Sequence, residues 1–146
     1  MVYNISIAIN NKLSDFSYYS DIVINITNNL NSSIIYEDFE LEGINNYVKN
    51  NYKIIVVEFD CLQNIIDFIK FIREILFNNK ILQIQYIYYQ NSILYCSNKY
   101  YNSLDGDFCD KNKIKLMLEK NRKKCEYTKL YNILFSWWFY LVDDFI

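Results

Sequence analysis

The sequence predicts an α+β domain, with an antiparallel or mixed sheet that contains a β-α-β-β unit over about residues 53–100 and is closed by two C-terminal helices. Three observations predict it. Residues 2–9 place Tyr3, Ile5, Ile7 and Ile9 at alternate positions, the period of a strand with one buried face. Lys53 to Phe59 (KIIVVEF) is a near-continuous apolar run, and apolar residues then recur at three- and four-residue spacing. Two Ile/Tyr-rich runs, Ile81–Tyr89 and Ile93–Tyr100, flank Gln90-Asn91-Ser92, as in a hairpin.

The elements follow in order. After the first strand, Asp21 to Thr27 aligns Ile22, Ile24 and Ile26 and reads as a second strand. Asn28 to Ser33 is a turn, Ile34 to Leu41 a third strand, and Gly43 its break, with a short helix or loop over Ile44–Asn51. The KIIVVEF run suits a central strand covered on both faces, and Asp60 is placed to cap the next helix. That helix carries Leu62, Ile65, Ile66, Ile69, Ile72, Ile75 and Leu76 inward and ends at Asn78-Asn79. Beyond the hairpin, Ser103 to Asp107 is a loop. Asp110 caps a basic helix over Lys111–Lys124, with Ile114, Met117, Leu118 and Cys125 inward. A last helix runs from Thr128 to about Val142, its contact face including Leu130, Leu134, Trp137, Trp138 and Leu141.

At 146 residues a single domain is expected, long enough to bury a core without disulfides or metal. The 20 Asn residues are spread among Ile and Tyr rather than clustered, which argues against disorder. Asn, Ile, Lys, Tyr and Phe have A/T-rich codons, and the chain has no Pro, two Gly and one Ala. An AT-rich genome is the expected source, such as that of a large DNA virus or a reduced bacterium. Four separated cysteines, no C-x-x-C pair and no histidine give no zinc pattern. Without a signal-peptide pattern at Met1-Val2-Tyr3-Asn4, an intracellular, cytoplasmic protein with reduced thiols is expected. The apolar run Leu130–Val142 is too short to cross a bilayer, so no transmembrane segment is expected.

Charge and aromatic residues supply the candidate sites. Residues 1–110 carry a net −6 and residues 111–146 a net +4. Lys111, Lys115, Arg122, Lys123 and Lys124 are the candidates for an anionic partner, nucleic acid among them, although their spacing points the cations around the whole helix. Trp and Tyr dominate protein contact sites, so Tyr88, Tyr95, Tyr131, Trp137, Trp138 and Tyr140 are the candidates for a protein interface. Unpaired strand edges would add to self-association.

Catalytic chemistry has little to build on. Without histidine no Ser-His or Cys-His pair exists, and buried, inert thiols are expected for Cys61, Cys96, Cys109 and Cys125. Asp105, Asp107 and Asp110 fit a turn and a helix cap better than a calcium loop, whose twelfth position here is Leu116. Glu37, Asp38, Glu40 and Glu42, with Glu58, Asp60 and Lys53, leave a carboxylate–metal enzyme as an alternative.

Ser20-Asp21-Ile22-Val23-Ile24 resembles the opening strand of BTB/POZ domains, and Ile54–Phe59 with its helix resembles their later strand and helix. The histidine-bearing helix between them has no counterpart. The unit from Lys53 to Tyr100 resembles substrate-adaptor domains that serve Clp unfoldases. Both resemblances imply a binding module without catalysis. The expectation is therefore a non-enzymatic protein without cofactor or metal, working by contact with a protein partner or a second copy.

Overall fold

Strand alternation and helix spacing sort the apolar side chains onto two faces of one sheet. The computed structural model describes residues 2–10, 12, 16–30, 33–37, 52–72, 82–97, 101 and 111–135. Its strands are β1 (Tyr3–Asn10), β2 (Ser33–Glu37), β3 (Tyr52–Phe59), β4 (Leu82–Tyr89) and β5 (Ser92–Cys96). Its helices are α1 (Phe16–Asn29), α2 (Leu62–Phe71), α3 (Lys111–Arg122) and α4 (Thr128–Phe135), with a 3-10 turn over Cys125–Tyr127 before α4. The α+β class and the two late helices are as the sequence predicts.

The sheet order is β2-β3-β1-β4-β5, and every pairing is antiparallel. Since β3 and β4 both oppose β1, they run parallel to one another with β1 between them. The β-α-β-β unit is therefore present but split: α2 carries the chain from β3 to β4 past the central strand. The KIIVVEF strand lies second from the edge, and β1 takes the centre.

On one face, Ile5, Ile7 and Ile9 of β1 join Ile55, Val57 and Phe59 of β3 and Leu82, Ile84 and Ile87 of β4. Val23 of α1, Ile65, Phe68 and Ile69 of α2, and Leu130, Tyr131 and Leu134 of α4 cover them. On the other face Ala8, Ile54, Val56, Tyr86, Ile93 and Cys96 form a smaller core under Ile114 and Leu118 of α3. The sheet thus lies between a three-helix layer and α3, a three-layer arrangement.

Bulges decide which β4 and β5 residues reach which core. Ser6 pairs with Tyr86 but Ile7 with Ile84, so Gln85 is an extra residue. It turns Ile84 and Ile87, three apart, to the same face. Its polar groups are satisfied: Ser6 Oγ donates to Gln85 Oε1 at 2.9 Å, and the Ser97 amide to the Gln85 carbonyl at 2.8 Å. A second bulge makes Leu94 the extra residue of β5.

Residues 21–27 are helix, not strand, and Ser20–Ile24 therefore lacks the strand that its BTB/POZ resemblance implied. Ile22, Ile24 and Ile26 do alternate, but Tyr19, Val23, Ile26 and Leu30 also fall at helical spacing and pack on the main core. The Thr27 hydroxyl donates to the Val23 carbonyl at 2.8 Å, so the buried polar residue is satisfied within the helix. Asp60 does not cap α2. The N-cap is Cys61, without a side-chain cap bond, and Asp60 is exposed. The reading of residues 38–51, 73–80 and 136–142 lies outside the described residues.

Candidate functional site

The hairpin tyrosines are placed by the β5 bulge. Tyr95 pairs with Ile87 and turns into the main core, 4% exposed. Tyr131 comes to the same core from α4, and its hydroxyl donates to the Leu94 carbonyl at 2.7 Å. Both belong to the interior, which removes them from the expected protein interface. A tyrosine with its hydroxyl satisfied inside packs like any large apolar residue. Tyr88 is half-buried against the second core, edge-on to Tyr86 at 4.9 Å. Trp137, Trp138 and Tyr140 lie outside the described residues.

The turn of the hairpin is the two residues Gln90-Asn91. Gln90, not the asparagine, takes the left-handed conformation, φ 55°. Primed hairpin turns require positive φ at the first central position, and a chain with two glycines uses glutamine there. Near this end Tyr3 and Tyr89 stack at 4.2 Å, and Tyr127 meets Tyr131 edge-on at 6.3 Å. Burial, then the Glu126 carboxylate, push the Tyr127 phenol up to about 12. Burial pushes Tyr131 up to about 12 against the opposing pull of Arg122. Tyr3 is also raised, chiefly by burial and then by Tyr89.

The β5 edge is covered by side chains. Asn121 Nδ2 donates to the Ile93 carbonyl and to Ser92 Oγ, both at 2.7 Å, and the Ile93 amide donates to Met117 Sδ at 3.4 Å. With Leu94 held by Tyr131, the middle of this edge offers no free row for strand pairing. Asn121→Ala is expected to cost about 1–3 kcal/mol by leaving the Ile93 carbonyl buried and unpaired. Urea titration checks it, with exposed Lys123→Ala staying within about 0.5 kcal/mol.

The cations of α3 are better ordered than spacing alone indicates. Ile114, Leu118 and Asn121 are buried, and Met117 is half-buried beside them. Helical geometry then puts Lys111, Lys115 and Arg122 along one flank of the buried stripe, and Lys113 and Lys120 along the other. Lys123 and Lys124 follow the end of the helix. Lys111 is half-buried, and Lys115, Arg122, Lys123 and Lys124 are exposed. Lys111 Nζ and Lys115 Nζ both sit over the Tyr101 ring, 5.1 and 5.8 Å from its centroid. Sequence spacing does not show this meeting, because Tyr101 reaches α3 through the fold.

A further surface was not foreseen. Tyr18 of α1 and Phe71 of α2 are each 63% exposed. β1 leads into α1 at its Asn10 end, whereas α2 leaves β3 at Phe59, opposite Tyr3. The two helices therefore run antiparallel, with Tyr18 and Phe71 toward the same end of the helical layer. The exposed residues Ser17, Asp21, Asn25, Asn28 and Asn29 give α1 one charge on its outer side. Reading residues 21–27 as a strand hid this face.

Among the described residues the carboxylates of the alternative chemistry do not come together. Lys53 and Glu58 stand at opposite ends of β3, about 17 Å apart by strand rise. No group of three or more Cys, Asp or Glu among the described residues is placed to hold a metal. Asp38, Glu40, Glu42, Asp105, Asp107, Asp110 and Cys109 lie outside the described residues. Cys96 is buried, but Cys61 and Cys125 are exposed. Cys61 stands before α2, and Cys125 follows Lys124, whose extended backbone interrupts the helical period that would have turned it inward. Among the described residues no helix is long and apolar enough to cross a membrane.

Fold and surfaces together define an α+β domain with one antiparallel sheet. In comparison with known proteins, no family model, curated protein or solved structure matches the chain.

Proposed function

We propose that the chain is a non-enzymatic, intracellular binding module that acts by protein–protein contact, through the outer face of α1 and α2. The supporting observation is the pair of exposed aromatics, Tyr18 and Phe71, at one end of adjacent helices on a face with few charges. Aromatic anchors and depleted charge mark the centre of protein interfaces. A second copy is the proposed occupant. Two antiparallel helices can be set against themselves by a twofold axis, and Asp21, Asp67 and Lys70 give the face both charge signs. An AT-rich, virus-encoded assembly module is the setting in which we place it.

Light-scattering mass across a concentration series tests the reading. A dimer is expected, with Tyr18→Asp and Phe71→Asp each shifting it to monomer while the circular dichroism is unchanged. A monomer at every concentration overturns self-association through this face.

A further inference from the structure

We propose that α3 and Tyr101 form a binding site for single-stranded nucleic acid, with backbone phosphates held by Lys111, Lys115 and Arg122. The site is on the opposite side of the sheet from α1 and α2, so it stands or falls independently of the dimer.

Two ammonium groups meet on one ring. Like charges four residues apart on a helix repel, and lysines on successive turns ordinarily splay into water. Here both turn to Tyr101, whose ring face attracts cations. Among the described residues neither lysine has a carboxylate partner. The ring offsets only part of the repulsion, and a bridging phosphate offsets the rest.

The site is also preorganised. Tyr101 donates its backbone amide to the Ser97 carbonyl at 3.0 Å and packs against the second core. Asn121 and Met117 tie α3 to β5. The charged flank is thus on a fixed element, and binding orders little besides the lysine tips. Lys111, Lys115 and Arg122 are spaced about 6 and about 10 Å along the helix axis, a line that follows a strand backbone rather than gripping one ion.

The ring decides the kind of polyanion. When phosphates draw the two ammonium groups off the Tyr101 ring, the face they cover is released for an unpaired base to stack on, whereas a duplex keeps its bases inside its own stack. An acidic peptide has no use for that ring. Residues 1–110, at net −6, repel a polyanion from most of the molecule and confine it to the α3 side.

The test is fluorescence anisotropy with a labelled twelve-nucleotide oligouridine, its duplex counterpart and poly-glutamate of equal length, from 50 to 200 mM salt. Oligouridine is expected to bind tightest, with a log–log salt slope of about −2 for three phosphates. Lys111→Ala with Lys115→Ala should weaken it about tenfold and flatten the slope to about −0.7. Tyr101→Leu should weaken it about fivefold at unchanged melting temperature. Lys113→Ala with Lys120→Ala, on the other flank, should stay within about twofold. Equal losses from the two flanks overturn the proposal, as does tighter binding of duplex or poly-glutamate, or no binding at 100 μM protein. The lysine pairs keep the test decisive if Tyr101→Leu fails to fold.

Discussion

Phe68→Ala is expected to destabilise the chain by about 3–5 kcal/mol, the largest effect of any single truncation considered. Phe68 is wholly buried on α2, and its ring meets Phe59 of β3 at 5.3 Å with a 56° tilt. It stands where the middle helix of the layer presses on the strand beside β1. Truncation removes the ring's transfer energy and leaves a cavity between two rigid elements that cannot close over it. Phe71, three residues on, is 63% exposed, and Phe71→Ala is expected to change the stability of the monomer by less than about 0.5 kcal/mol. Urea unfolding of both variants, at a concentration where the chain is monomeric, checks the pair. The Phe68→Ala midpoint should fall with an unchanged denaturant slope. Equal losses for the two variants would mean that α2 is rotated relative to the orientation described here.

What was legible in the sequence is what short-range period records. Alternation in β1 and the unbroken apolar run of β3 mark strands because their side chains face two covered sides of a sheet. The stripe from Leu62 to Ile72 marks α2 because it has one covered side. Between Tyr19 and Leu30 both periods coexist, and Ile22, Ile24 and Ile26 favour strand by their β-branched shape. Cover for Ile5, Ile7 and Ile9 decides for helix, and no local pattern carries that requirement. The insertion of β1 between β3 and β4 is invisible for the same reason, since pairing partners are set by burial across the whole chain.

The candidate sites divide along the same line. The charge of Lys111–Lys124 was legible as charge, but its division into two flanks follows from which side of α3 is buried. Tyr95 and Tyr131 read as interface candidates because tyrosine is common at protein contact sites. The bulge at Leu94 admits Tyr95 to the main core and leaves a carbonyl that the Tyr131 hydroxyl satisfies. Tyr101 is not among the candidates that the sequence offers, and its two lysine partners belong to the fold alone.

The same buried tyrosines predict alkaline sensitivity. Tyr127 and Tyr131 are held neutral in the folded chain, with pKa pushed from 10.0 up to about 12. Unfolding returns them to the ordinary value. Below pH 10 both states keep the protons and stability is indifferent to pH. Between about 10 and about 12 the unfolded chain releases protons that the folded chain retains, so stability falls as pH rises and levels off above the folded value. The loss is at most about 3 kcal/mol for each tyrosine. Tyr131→Phe separates the contributions: it costs about 1–3 kcal/mol at neutral pH by leaving the Leu94 carbonyl unpaired, yet loses less between pH 10 and 12. Urea midpoints at pH 8, 10 and 12, with phenolate absorbance followed alongside, check both halves. If the wild-type chain shows all its tyrosines ionising near pH 10 without loss of stability, these two phenols are in contact with water and the packing of α4 on β5 is wrong. If the variant instead matches the wild-type slope, Tyr127 alone carries the alkaline response, and the bond from Tyr131 to the β5 bulge acts only as a structural tie.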